Sequence, residues 1–156
     1  MKDLWQTRWD GHEIAVYRGR VEVDRFDAHA IERVLLLYRG AGDFPGDVVQ
    51  AVVQLPDECL LFGAETGFAG RVNFERQAFW AERACVHWVS QARAPLPLRL
   101  RAAVGFIPLN PPVYARVPKS ELAALIERWP VQRAQTWAQR KRMRIERALP
   151  FHAEHA

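Results

Sequence analysis

The stretch from Gly63 to Gln77, GAETGFAGRVNFERQ, contains glycines and an arginine in an arrangement that a phosphate-binding turn could use. Glycines let the backbone approach an anion closely, and the N-terminus of a following helix offers unpaired N–H groups. A P-loop requires GxxxxGK[ST], but Gly70 is followed by Arg71 and Val72, so the lysine and the magnesium-binding hydroxyl are both missing. The pattern GxGxxG is also absent. The stretch is therefore predicted to be a strand end, a turn and the start of a helix.

The six residues from Ala64 to Ala69, AETGFA, resemble the last part of the glycine loop, of form [QR]xxGx[GA], in the acetyltransferase family that binds coenzyme A. Ala64 stands where that family has Gln or Arg, and a proline-rich segment follows the predicted helix where the family continues with a strand. The resemblance implies an acyl-transfer enzyme that uses the loop from Gly63 to Gly70. It is one alternative function for the chain.

Two pairs of carboxylates are candidates for general acid and base catalysis. Glu75 and Glu82 lie two helical turns apart, but each is followed by an arginine, which is typical of a solvated helix face with modest ion pairing. Asp43 and Asp47 fall in the loop GAGDFPGD, where aspartates serve turn formation more often than catalysis. Neither pair predicts a catalytic site.

Cys59 and Cys85 each lie in an apolar run and are predicted to be buried free thiols. On the predicted helix His87 points away from Cys85, so no base accompanies that thiol. His152 and His155 could hold a metal ion only with ligands supplied from elsewhere. The sequence therefore predicts no catalytic residue, no metal site and no cofactor, and it favours a protein that is not an enzyme.

Trp80 lies on the polar face of the predicted helix, where its neighbours are Asn73, Arg76, Arg83 and His87. Either the C-terminal helices cover this ring, or it is exposed as an anchor for a partner, because Trp and Arg dominate binding hot spots. Trp80, Arg76, Arg83 and His87 are the candidate interaction residues. The leading hypothesis is a non-catalytic module that binds another protein or itself through its aromatic and arginine-rich helical half.

Positive charge is concentrated towards the C-terminus. Residues 1–90 hold 10 Lys and Arg against 14 Asp and Glu, whereas residues 91–156 hold 12 against 4. Such a split indicates an anionic partner, or a basic half that packs against the acidic half of the same chain. Because Lys and Arg bound to phosphates release counterions, nucleic-acid or anionic-surface binding is a second alternative function. The residues assigned to that contact are Arg71, Arg133, Arg140, Lys141, Arg142, Arg144 and Arg147.

The first 63 residues have the pattern of about six short antiparallel strands separated by turns. Asp10-Gly11 lies between two strand-like runs and predicts a hairpin, because both turn positions tolerate positive φ. The run from Glu32 to Arg39 is predicted to be a strand rather than a helix, because the following VVQAVVQL is rich in β-branched residues and needs a neighbour. Such a sheet must be covered on one face.

A helix from Arg71 to about Ser90 is predicted to provide that cover. Apolar residues recur at helical spacing along it: Phe74, Ala78, Ala81, Cys85 and Trp88. An irregular proline-rich strap at 91–118, a basic helical extension at 119–149 and a frayed tail at 150–156 follow. Within the extension, one helix is predicted to begin at Ser120 and a second at Val131.

The predicted architecture is a single α+β domain (1–156). It has a curved antiparallel sheet or partly open barrel of about six strands capped by a helix, followed by the proline-rich strap and two C-terminal helices. The order of strands and then a capping helix resembles pleckstrin-homology-type domains at the level of the fold alone, which transfers no residue and no ligand. The sequence shows neither a secretory signal nor an apolar run of about 20 residues, so a cytoplasmic protein is expected.

Overall fold

The computed structural model describes residues 4–42, 47–68, 76–94, 99–102, 105–108 and 114–133. The strands are β1 (Trp5–Asp10), β2 (Glu13–Arg18), β3 (Val21–Asp27), β4 (Arg33–Tyr38), β5 (Val48–Gln54), β6 (Glu58–Gly63), β7 (Val86–Ser90), β8 (Arg99–Ala102), β9 (Gly105–Pro108), β10 (Tyr114–Pro118) and β11 (Gln132–Arg133). The α-helices are α1 (Gln77–Arg83) and α2 (Ala123–Ile126).

The strands are mostly antiparallel and form separate sheets. One sheet has the order β1-β2-β3, a second has the order β10-β6-β5-β4-β7-β11, and β8 pairs with β9. The predicted α+β class with antiparallel strands is therefore confirmed. The prediction of one curved sheet of about six strands is wrong, because the chain leaves the first sheet after β3 and starts a second one. Within the described residues no sheet closes into a barrel.

Turn chemistry shapes the three-stranded sheet as the sequence predicts. β1 pairs with β2 across the turn at Asp10-Gly11, where Gly11 has a φ of 65°. β2 pairs with β3 across Gly19, which has a φ of 63°. Glycine adopts this left-handed region without a steric penalty. The side chains that this sheet places on the core are those of Trp5, Trp9, Ile14, Val16 and Phe26.

β4 lies in the middle of the six-stranded sheet and is buried on both faces. It pairs antiparallel with β5, as the sequence predicts, and parallel with β7. Val34 and Leu36 pack in a first core, whereas Leu35 and Leu37 pack in a second core. Because both faces of such a strand are covered, its sequence is a continuous apolar run rather than an alternating one.

Different elements complete the two cores. The first core includes residues of the three-stranded sheet together with Phe62 and Trp80. The second core includes Leu122 and Ile126, which lie at the start and end of the α2 region. The six-stranded sheet is therefore covered on both of its faces, whereas the sequence predicts cover on one.

The helix predicted from Arg71 to Ser90 is wrong over its C-terminal part. α1 ends at Arg83, and its C-cap residue Ala84 has a left-handed φ of 52°, after which the chain enters β7. Val86 and Trp88 both pack in the first core, two positions apart as in a strand. The apolar residues fit helical spacing as well, but pairing with β4 satisfies the backbone groups of both strands, so this tertiary contact overrides the local pattern.

The C-terminal half contains more strand than the sequence predicts. Inside the predicted strap, β10 extends the six-stranded sheet by pairing with β6. Ser120 lies in a 3-10 turn (Lys119–Glu121), and α2 that follows is only four residues long. The helix predicted from Val131 is wrong at β11, which pairs with β7. The remainder of that helix and the tail lie outside the described residues.

A charged cluster links β3 of the first sheet to β10 of the second. Arg116 donates from Nη2 and Nε to the two carboxylate oxygens of Asp24 at 2.8 and 2.9 Å, and from Nη1 to Glu58 at 2.7 Å. The Tyr114 hydroxyl also donates to Asp24. Burial alone would raise the pKa of Asp24, but the hydrogen bonds from Arg116 and Tyr114 outweigh it and hold the pKa below its usual value. An ionised Asp24 therefore joins the two sheets.

We expect Asp24→Asn to lower the free energy of unfolding by about 1–3 kcal/mol at neutral pH, because the partly buried charge of Arg116 then keeps only Glu58 as a counterion. The pKa of Asp24 is depressed on folding, so its contribution to stability is present above the unfolded value of about 3.9 and is lost as the pH falls through the lower folded value. When urea unfolding is measured as a function of pH, the free energy of unfolding of the variant should fall less steeply at acid pH than that of the wild type. Asp57→Asn, in an exposed turn, controls for the removal of one carboxylate. If the free energy of unfolding fell equally steeply with acid pH in Asp24→Asn and the wild type, an ionised Asp24 would not stabilise the fold.

Ala84→Gly should stabilise the protein, because the left-handed conformation costs a non-glycine residue about 1–2 kcal/mol. The added freedom of glycine in the unfolded chain offsets about 0.4–1 kcal/mol of that gain. We expect a net increase in the free energy of unfolding of about 0.5–1 kcal/mol in urea. The matched control is Ala81→Gly, at an exposed position inside α1. This substitution should lower the free energy of unfolding by about 1 kcal/mol. If Ala84→Gly lowered the free energy of unfolding as much as the control does, the backbone at Ala84 would not be strained.

Candidate functional site

A surface formed by β1 and α1 combines arginines with aromatic rings. The rings of Trp9 and Phe79 meet edge to face, with centroids 5.2 Å apart. The guanidinium of Arg76 lies 5.0 Å from the centroid of Trp9, and that of Arg83 lies 5.6 Å from the centroid of Phe79. Both rings are half-buried, and Arg76 is exposed. These four residues are called the arginine-aromatic surface below.

Trp80 supports this surface from beneath. Its ring is only 1% exposed and lies 5.1 Å from Phe79, 5.8 Å from Trp9 and 6.2 Å from Phe68. This burial excludes the interpretation in which Trp80 itself is an exposed anchor. α2 does not provide the cover expected from the C-terminal helices, because it packs in the second core, and the longer C-terminal helix lies outside the described residues. Close aromatic packing fixes the orientation of the rings above Trp80.

His87 does not join the arginine-aromatic surface. It lies on β7, opposite Arg133 of β11, because this segment is a strand rather than the predicted helix. Arg133 is thus placed at one end of the strand order of the six-stranded sheet. The other residues proposed to contact an anion or nucleic acid lie outside the described residues: Arg71, Arg140, Lys141, Arg142, Arg144 and Arg147.

Arg83 joins α1 to a short 3-10 turn (Ala28–Ala30) that follows β3. Its Nη2 donates to the carbonyl oxygen of His29 at 2.9 Å and to that of Ile31 at 2.7 Å. Hydrogen bonds from a charged donor are stronger than those between neutral groups. Arg83 therefore holds the 3-10 turn next to Phe79, whose ring centroid lies 5.7 Å from that of His29.

Two histidines and an aspartate converge where the 3-10 turn meets the first hairpin. Nδ1 of His12 lies 3.1 Å from Oδ1 of Asp27, and Nδ1 of His29 lies 3.4 Å from the same oxygen. The backbone N–H of His29 donates to this oxygen at 2.8 Å; that bond and the contact with His12 hold the pKa of Asp27 below its usual value. One potential ligand atom from each side chain lies within 4.8 Å of the others. We call this group the His-Asp-His cluster.

The sequence alone does not reveal the His-Asp-His cluster. Asp27 caps the 3-10 turn, where its side chain accepts a hydrogen bond from the N–H of His29. His12 lies in a different turn, 15 positions away along the chain. The short D-x-H spacing of Asp27 and His29 is the one local signal that could have suggested a metal site.

The described part of the glycine stretch forms a tight turn that uses its own polar groups. β6 ends at Gly63, whose carbonyl oxygen accepts the hydroxyl of Thr66 at 2.8 Å. Gly67 has a φ of 71°, and Phe68 then stacks on Phe62 with centroids 4.6 Å apart. These contacts support the interpretation of a turn that ends a strand. The rest of the stretch up to position 75 lies outside the described residues.

Of the other groups considered for catalysis, the structure describes the two cysteines and one member of each carboxylate pair. Cys59 and Cys85 are buried and free, and burial raises the pKa of both thiols, so they stay protonated and unreactive. Glu82 is exposed on α1, and its proposed partner lies outside the described residues. The same is true of the partner of Asp47.

No protein-family model, no curated protein and no solved structure matches this chain. Within the described part of the chain, no helix is long and apolar enough to cross a membrane. The arginine-aromatic surface and the His-Asp-His cluster are therefore the features from which a function can be inferred.

We expect Arg83→Ala to lower the free energy of unfolding by about 1–2 kcal/mol, because the carbonyl oxygens of His29 and Ile31 lose a charged donor. Urea unfolding measures the change. Glu82→Ala removes a charged side chain from the exposed face of the same helix and should change stability by less than about 0.5 kcal/mol. If the two substitutions have equal effects, Arg83 does not hold the 3-10 turn.

Proposed function

We propose that this chain is a non-catalytic interaction module that binds a protein partner through the arginine-aromatic surface. The observation that carries the proposal is the presence of two neighbouring arginine-aromatic contacts, Arg76 on Trp9 and Arg83 on Phe79, whose rings also touch each other. Trp and Arg are among the residue types most enriched at binding hot spots. At this surface Arg76 is exposed and Trp9, Phe79 and Arg83 are partly exposed, whereas the ring of Trp80 beneath them is buried.

The surface is ordered before a partner arrives. Trp80 packs against both rings from below, and Arg83 is fixed by two backbone carbonyl oxygens. Side chains that are already held in place lose little conformational entropy on binding. A preformed arrangement of this kind supports affinity for a partner of matching shape.

Arg76 defines the chemistry of the partner. Its guanidinium lies over Trp9, and the N–H groups at the edge of this planar cation can donate to a carboxylate in a bidentate manner. Phe79 supplies apolar surface directly beside it. We therefore propose a partner that presents a carboxylate next to apolar side chains.

Other properties of the chain are compatible with such a role. The thiols of Cys59 and Cys85 are buried, unpaired and protonated, which suits packing rather than nucleophilic catalysis. Free cysteines also suit the reducing cytoplasm, and we place the module there.

Selection of a displayed random-peptide library on the full chain tests the proposed surface. We expect the enriched peptides to combine Asp or Glu with Leu, Phe or Trp. A synthetic peptide of this kind should bind the Arg76→Ala variant about tenfold or more weakly than the wild type in isothermal titration calorimetry, because it loses both a carboxylate contact and the cover over Trp9.

Arg128→Ala is the matched control, since Arg128 is an exposed arginine near α2 and the second core. The proposal would be overturned if the library yielded no peptide whose binding depends on Arg76. It would also be overturned if Arg76→Ala and Arg128→Ala lowered the affinity for the peptide equally. Sedimentation velocity tests whether the chain binds itself. If the wild type forms a dimer and Arg76→Ala does not, the partner is a second copy of the chain.

A further inference from the structure

We propose that His12, Asp27 and His29 bind a divalent transition-metal ion of the Zn²⁺ type, with a fourth coordination position open to solvent. The three side chains come from the turn between β1 and β2, the end of β3 and the 3-10 turn that follows it. This site is distinct from the arginine-aromatic surface, and its chemistry does not depend on the proposed protein partner.

The distances within the cluster suit a tetrahedral ion. A histidine nitrogen and a carboxylate oxygen lie about 2.0–2.2 Å from Zn²⁺, so two ligand atoms of a tetrahedron are about 3.3–3.6 Å apart. The distances from Asp27 Oδ1 to Nδ1 of His12 and of His29 are 3.1 and 3.4 Å, close to two edges of that tetrahedron. All three ligand atoms lie within 4.8 Å of one another, and rotation of the exposed imidazoles can shorten the third edge.

The backbone holds the ligand-bearing segments together. The N–H of Ala28 donates to the carbonyl oxygen of His12 at 2.8 Å, which ties the first hairpin turn to the 3-10 turn. Asp27 is oriented by the N–H of His29, and the carbonyl group of His29 is held by Arg83. Such outer contacts keep the ligands of a metal site in position, and their loss typically weakens metal binding.

The donor set determines the class of ion. Two imidazole nitrogens and one carboxylate oxygen suit Zn²⁺ and neighbouring transition metals, whereas Ca²⁺ and Mg²⁺ prefer sites made of oxygen atoms. The side chains of His12 and His29 are 63% and 58% exposed, so an ion can enter from solvent and keep a water molecule as its fourth ligand. Three protein ligands with one open position distinguish this arrangement from a closed structural zinc site.

Titration of the full chain with ZnCl₂ by isothermal titration calorimetry tests the site. We expect binding of one ion per chain, and we expect His12→Gln to weaken it about tenfold or more, because this variant removes a ligand from an exposed turn. The matched control is the double variant His152→Gln and His155→Gln, which removes the tail histidines and should bind Zn²⁺ as the wild type does. Arg76→Ala should also retain the ion, so the metal site and the protein-binding surface are tested independently.

Two further measurements locate the ion. Imidazole ¹⁵N spectra should shift for His12 and His29 when Zn²⁺ is added, and the midpoint of thermal unfolding should rise by about 5–10 °C at saturating Zn²⁺ in the wild type but not in His12→Gln. The proposal is overturned if millimolar Zn²⁺ produces no binding, if His12→Gln binds as the wild type does, or if only the tail variant loses the ion.

Discussion

The burial of β4 between two cores is the constraint on which the rest of the fold depends. Val34 and Leu36 pack in one core and Leu35 and Leu37 in the other, so both edges of this strand must be paired and both faces covered. β5 pairs along one edge through a hairpin connection, and β7 pairs along the other edge in parallel. A parallel partner requires a long crossover connection, and here the crossover contains β5, β6 and α1.

The position of α1 follows from that crossover. The helix ends at Arg83, and the left-handed Ala84 turns the chain into β7. The N–H of Val34 donates to the carbonyl oxygen of Cys85 at 2.8 Å. This brings Arg83 within reach of the 3-10 turn after β3 and sets Phe79 against Trp9. The arginine-aromatic surface therefore results from the crossover connection that places β7 beside β4.

His29 connects the two proposed sites. Its ring lies 5.7 Å from that of Phe79 and 5.4 Å from that of His12, and its carbonyl oxygen accepts a hydrogen bond from Arg83. An ion held by the His-Asp-His cluster would therefore order one border of the arginine-aromatic surface. The two sites nevertheless use different chemistry, metal ligation in one and cation-aromatic contact in the other, and substitutions can separate them.

The sequence by itself determines the α+β class, the Asp10-Gly11 hairpin and the burial of the two cysteines, because these follow from turn chemistry and hydrophobic patterning within short segments. It leaves Val86–Ser90 undecided, since the same apolar residues fit a helix and a strand, and only pairing with β4 selects the strand. It also gives no sign that His12 and Asp27, 15 positions apart, are neighbours. The sequence singles out Arg76 and Arg83 by their residue type, but only the packing of hairpins, turns and helices sets them against the rings of Trp9 and Phe79. Because such packing joins segments that are distant along the chain, the tertiary structure alone decides which residues meet at each candidate site.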